Sequence, residues 1–113
     1  MIQALKDYGV LDETLVVFSS DNGIPFPDAK TNLYDPGEIE PFIVSSPLSV
    51  SRWGQKSEAM VGLTDIVPTV LDWFGLQYPN YTLPNRPNPI TLKGSSVLPL
   101  LDTEPKHLSL IHI

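Results

Sequence analysis

Apolar and polar positions divide this chain into a few short elements joined by long irregular stretches. Residues 1–8 read as the last turns of a helix with Ile2, Leu5 and Tyr8 on one stripe, and Gly9 is placed to stop it. After a polar turn at 11–14, residues 15–19 (LVVFS) have the β-branched and aromatic content of a strand. Their apolar residues run on without alternation, which suits a strand covered on both faces, as in a parallel sheet with helices on either side. A second strand is expected at 41–45 (PFIVS), entered through the acidic residues 35–40 and closed by Pro47. Residues 49–57, with Arg52, Trp53 and Lys56, read as a surface loop. The clearest helix follows: Leu63, Ile66, Val67, Val70, Leu71 and Phe74 fall on one 3.6-residue stripe. Asp65 suits the N-cap, Pro68 lies early enough that its missing N–H is not needed, and Gly75 suits the C′ position.

Beyond that helix the periodicity fades. Pro79, Pro84, Pro87 and Pro89 crowd a long loop that also holds an N-glycosylation sequon at Asn80, and residues 94–101 (GSSVLPLL) form a last apolar segment suited to a short helical turn or a core-docking loop. With 12 prolines in 113 residues, long non-helical connections are required, while an apolar content of 42% is enough for a modest core. The net charge is -6 and the basic residues are scattered singly, which argues against nucleic acid and anionic membrane surfaces as partners. No cysteine is present, so these residues supply no disulfide, thiolate ligand or thiol nucleophile. No apolar run has the length of a membrane span.

The candidate chemistry gathers at residues 15–30, where the first strand delivers Asp21 and Asn22 into a glycine turn and Lys30 follows. Ligand sites of open α/β sheets lie just beyond the C-terminal ends of strands. Asp-Asn-Gly is also a common hairpin turn, but Ile24-Pro25-Phe26-Pro27 cannot supply the N–H ladder of a returning strand. Carboxylate and amide oxygens suit calcium or magnesium, and calcium takes six to eight of them, so further donors would have to come from elsewhere. Lys30 is either a solvated lysine or the cation that neutralises an oxyanion held beside the metal. Asp65 and Asp72 are better explained as a helix cap and an exposed helix face than as ligands, and Trp53, Trp73 and Phe74 as packing residues. Glu38 and Glu40 read as a solvated face close enough to rim a pocket. His107 and His112 have no convincing metal spacing.

Several of these segments, in this order, resemble the later part of a sulfatase catalytic domain: SDNG at 20–23, a lysine several residues on, residues 37–41, LTDIVPTVLDWFG at 63–75 and GSSVLPLL at 94–101. The resemblance covers roughly residues 1–105. Within the family the chain looks most like the sulfamidases, through SSDNGIPFP (19–27), TNLYDPG (31–37), EPFIVSSP (40–47), RWGQ (52–55) and DWFGLQYPNY (72–81). It implies an α/β fold, a piece of an alkaline phosphatase-like sandwich with a mostly parallel central sheet flanked by helices. It further implies that Asp21 and Asn22 coordinate a Ca2+ ion and that Lys30 contacts the sulfate; sulfamidases carry arginine at that position, many O-sulfatases lysine. The family nucleophile is a formylglycine made from a Cys/Ser-x-Pro-x-Arg motif, which these residues do not contain, so alone they are expected not to turn over substrate.

By resemblance the substrate is a sulfated sugar, with N-sulfoglucosamine of heparan sulfate foremost, the location is lysosomal or secretory, and the full-length parent is open to oligomer formation. Two other readings stand beside this one: a phosphate-ester hydrolase or mutase of the alkaline phosphatase superfamily, and a non-catalytic truncated product. Residues 106–113, ending LSLIHI, lie outside the family pattern and resemble translated adapter sequence. A strand parted from its sheet neighbours leaves open edges and a bare apolar face, so the isolated chain is expected to aggregate or stay molten.

Overall fold

The structure is a computed structural model that describes residues 1–26, 29–30, 32–78, 82–85 and 88–102. The sequon at Asn80, both histidines and the segment 106–113 lie outside the described residues. In chain order the ordered elements are helix α1 (Ile2–Asp7), strand β1 (Val16–Ser19), a short helix α2 (Asp35–Glu38), strand β2 (Phe42–Ser45), helix α3 (Ile66–Trp73) and helix α4 (Leu98–Asp102). Tight 3-10 turns at Leu11–Glu13, Pro47–Arg52 and Leu63–Asp65 link them.

Both strands form where the apolar runs placed them, but their mutual direction differs from the expectation of a parallel sheet. They pair antiparallel, with Val16 opposite Ser45, Val17 opposite Val44, Phe18 opposite Ile43 and Ser19 opposite Phe42. A parallel neighbour requires a crossover, usually a full helix, and among the described residues of the connection at 20–41 the one helix is the four-residue α2. Nor are both faces covered. Facing positions share a face, so Val17, Val44 and Phe42 point one way and pack with Val61, Val97, Ala59, Ile66 and Leu100. The opposite face presents Phe18 and Ile43, 55% and 54% exposed.

Helix ends follow the chemistry their residues dictate. At α1, Gly9 adopts φ +68, and Val10 N–H reaches the Leu5 carbonyl while Gly9 N–H reaches that of Lys6. Gly75 ends α3 in the same way at φ +64, with Leu76 N–H donating to Leu71 and Gly75 N–H to Asp72. The acidic connection expected before β2 instead winds into α2, with Asp35 and Pro36 in its first turn. The loop expected at 49–57 begins as a 3-10 turn, with Leu48 N–H bound by the Ser46 hydroxyl and the Trp53 indole N–H donating to the Ser46 carbonyl.

The start of α3 is more elaborate than an N-cap. Helical winding begins at Leu63, and the Asp65 carboxylate reaches back to accept from Gly62 N–H at 2.8 Å. Its other oxygen accepts from Ser95 N–H, also at 2.8 Å. One turn on, the Thr69 hydroxyl donates to the Asp65 carbonyl at 2.6 Å and accepts from Val97 N–H at 3.0 Å. Thr69 is 1% exposed, while Leu63, Val67, Val70 and Phe74 of the anticipated apolar stripe are exposed. The helix therefore turns Ile66 and Thr69 inward, because the segment opposite them presents backbone donors that need oxygen acceptors. Gly94 permits this approach, since a Cβ there would collide with the Thr64 carbonyl oxygen.

Two outcomes are expected. Replacing Phe18 and Ile43 together by Thr will raise the soluble, unassociated fraction of the isolated chain, whereas Phe42→Ser will lower it; analytical ultracentrifugation reads both. Asp65→Ala will speed amide hydrogen exchange at Gly62 and Ser95 by roughly tenfold, about 1 to 2 kcal/mol of local protection, while leaving Leu5 and Val10 unchanged.

Candidate functional site

Beyond Ser19 the chain leaves β1 and turns through residues 20–23. The turn is held from within: the Ser20 hydroxyl donates to the Asn22 carbonyl at 2.9 Å, and the Asn22 side-chain amide N–H donates to the Gly23 carbonyl at 2.9 Å. This use of the Asn22 amide nitrogen leaves its side-chain oxygen for another donor or a cation. Asp21 stands exposed at the top of the turn. A carboxylate and an amide oxygen side by side form a hard-cation donor pair, and they fit calcium in type. Among the described residues no group of three histidine or acidic side chains is close enough to hold a metal ion by itself, so this pair is a partial site.

Glycine contacts fix where the turn lies. A Cβ on Gly23 would run into the Pro36 carbonyl oxygen and come within 3.1 Å of the Ala29 side chain. On Gly37 it would meet the Asn32 carbonyl oxygen at 2.5 Å and the Ala29 backbone at 3.3 Å. Ala29, 3% exposed, is thus packed between the two glycines. That packing holds the backbone of its neighbour Lys30 close to the turn bearing Asp21 and Asn22. Lys30 itself is exposed, at φ +27, a region that residues with a Cβ seldom occupy. The structure thus brings Asp21 and Asn22 into one turn and roots Lys30 in the loop packed against it.

Asp65 is excluded from ligand chemistry by its two backbone donors, and Asp72 is exposed on α3. The expectation that Glu38 and Glu40 together form a solvated face is met only by Glu38. Glu40 is 8% exposed, and its Oε1 is buried with no hydrogen-bond partner among the described residues. Nothing in the acidic composition of 35–40 marks one glutamate as buried; the signal is positional, since Glu40 comes just before a strand whose first residue, Phe42, faces the core.

The family model described as Sulfatase matches residues 1–76. The chain belongs to the sulfatase family. It is 55% identical over 105 residues to human N-sulphoglucosamine sulphohydrolase, covering 93% of this chain and 21% of that protein. It is 32% identical to arylsulfatase K of Xenopus laevis over 89% of the chain and 17% of the relative. Against N-acetylglucosamine-6-O-sulfatase of Bacteroides thetaiotaomicron the identity is 27%, over 94% of the chain and 18% of the relative. The chain thus spans about a fifth of the length of the sulfatases it matches, and the family carries the α/β, alkaline phosphatase-like fold. Among the described residues no helix is long and apolar enough to cross a membrane.

Gly23 is the position on which the local geometry turns. In a protein where this segment replaces the equivalent span of human N-sulphoglucosamine sulphohydrolase, Gly23→Ala will force the turn from the 29–37 loop. Both calcium affinity and hydrolysis should fall, by roughly tenfold or more given the sensitivity of such sites to their supporting residues. Gly54→Ala is the control: at φ +74 it carries a backbone strain that Gly23→Ala does not, but its Cβ meets nothing within 4 Å, so it should leave both unchanged.

Proposed function

We propose that this chain forms one side of the active site of a calcium-dependent sulfatase that removes sulfate from sulfated sugars, with N-sulfoglucosamine of heparan-type chains as the substrate. The observation that carries this reading is the 55% identity to human N-sulphoglucosamine sulphohydrolase across 93% of the chain, a span that takes in positions 21–30. In this reading residues 1–105 are part of the catalytic domain, 106–113 lie outside it, and β1 and β2 join a larger, mostly parallel sheet flanked by helices. The setting in this reading is lysosomal or secretory, with a full-length parent open to oligomer formation.

Asp21 and Asn22 hold the cation through their side-chain oxygens. Bound there, calcium draws charge from the sulfuryl oxygens during transfer. Lys30 places a compact positive charge on the same oxyanion from the flanking loop, an interaction that strengthens as charge accumulates in the transition state. The remaining calcium donors, the formylglycine nucleophile and the acid that protonates the leaving amine belong to other parts of the polypeptide. This chain alone therefore binds and orients, and does not turn over substrate.

The test is the hybrid in which residues 1–105 replace the matching span of human N-sulphoglucosamine sulphohydrolase. It should release sulfate from N-sulfoglucosamine in a calcium-dependent manner. Asp21→Ala should remove that dependence together with activity, and Lys30→Ala should lower kcat by roughly 10²-fold. Release from 6-O-sulfated but not N-sulfated glucosamine would overturn the substrate and leave the sulfatase reading. Calcium dependence that persists in Asp21→Ala would overturn the site.

A further inference from the structure

Hydroxyl groups do two kinds of work in this chain. The Thr69 hydroxyl bonds to the Asp65 carbonyl within α3 and accepts from Val97 N–H, 28 positions further on, so it ties distant parts of the fold together. The Ser20 hydroxyl reaches only two residues, donating to the Asn22 carbonyl at 2.9 Å. A bond of that range joins no elements; it sets the backbone of the residues it encloses. What it encloses is the turn carrying Asp21 and Asn22. A second bond follows directly, from the Asn22 amide N–H to the Gly23 carbonyl at 2.9 Å. Gly23 is itself seated against the Pro36 carbonyl, where a Cβ would collide. Asn22 is therefore held at both ends, its main chain by Ser20 and its side chain by a residue packed on the neighbouring loop. Asp21, between them, is exposed.

We propose that Ser20 is a positioning residue of the Asp21–Asn22 site: its hydroxyl presets the Asn22 backbone, so that the amide oxygen of Asn22 is free for a divalent cation before the cation arrives. The inference rests on the proposed role of Asp21 and Asn22 as cation donors. An amide side chain can offer its nitrogen or its oxygen, and only the oxygen ligates calcium. The bond from the Asn22 nitrogen to Gly23 makes that choice, and it needs the 20–23 backbone folded back on itself. The Ser20 bond closes that backbone. Without it the Asn22 carbonyl turns to water, the turn widens, and part of the binding free energy is spent on ordering the donors. Ser20 touches neither cation nor substrate in this role and acts through Asn22.

The experiment uses the hybrid protein. Calcium affinity is read by isothermal titration, terbium luminescence serves as an independent probe, and Tm is measured without metal. Ser20→Ala removes the hydroxyl alone. It should weaken calcium binding by roughly tenfold, the loss typical of a group that orients a ligand, and leave the metal-free Tm unchanged. Ser20→Thr keeps a hydroxyl and should recover most of the affinity. Ser57→Ala is the control: it removes a hydroxyl that also closes a local turn, accepting from Ala59 N–H at 3.2 Å, but one outside the site, so calcium binding should not change. Calcium affinity in Ser20→Ala within about twofold of the parent, with Asp21→Ala abolishing binding, overturns the inference and leaves the proposed function standing. So does a loss of affinity that is matched by a lower metal-free Tm and not recovered by Ser20→Thr, which would make the hydroxyl a support of the fold alone. Undiminished binding in Asp21→Ala overturns both.

Discussion

The antiparallel register of β1 and β2 is the constraint on which the remaining structure depends. With Ser19 opposite Phe42, the inner face of the ladder carries Val17, Val44 and Phe42 against Val61 and Val97. A slip of one residue would exchange that face for the one bearing Phe18 and Ile43. Val61 and Val97 would then lose their partners, and with them the reason for α3 and α4 to lie where they do. The same register brings the exit of β1 beside the entry of β2, so the turn at 20–23 and the segment at 36–40 become neighbours. Fold and site are in this sense set by one pairing. Its opposite face remains apolar, with Phe18 and Ile43 more than half exposed.

Around the site, backbone packs on backbone. Gly23 and Gly37 are both close to atoms that a side chain would displace, and Ala29 is buried between them. Pro25 and Pro36 limit the conformations of the two arms. The small residues supply the close packing, so the exposed side chains of Asp21 and Lys30 need not contribute to it. It also accounts for Lys30 at positive φ, a conformation that persists only when its neighbours fix it.

How much of this was legible in the sequence differs by scale. The positions of β1, β2 and α3, and the stops at Gly9 and Gly75, follow from local composition and local φ preferences, and all appear where expected. Strand direction did not follow, because a continuous apolar run is compatible with parallel or antiparallel neighbours, and the choice depends on a connection with no periodicity of its own. The inward face of α3 was misjudged for a related reason. An apolar stripe identifies the face that water disfavours, but the segment at 95–97 offers N–H groups, which the Asp65 carboxylate and the Thr69 hydroxyl accept and an apolar side chain could not. The turn that carries Asp21 and Asn22 was legible because Asp-Asn-Gly is a local pattern. The place of Lys30 rested on resemblance to a family, and the burial of Glu40 depends on a register that no single segment reveals.

Three carboxylates in this chain show how structural and functional acids are told apart. Asp65 has each oxygen engaged by a backbone N–H, one from Gly62 and one from Ser95, so its charge is spent on joining α3 to the last segment. Asp21 is exposed in a turn whose internal hydrogen bonds come from Ser20 and Asn22, so the fold does not need its carboxylate. Glu40 is buried with an oxygen unanswered, and the fold would be better served by an uncharged residue there. Sequence spacing treats the three alike. A saturated carboxylate is accounted for by the fold, whereas an exposed one in a turn that holds itself together is left over for other work. That difference in partners, more than the acidity of the chain, sets Asp65 apart from Asp21.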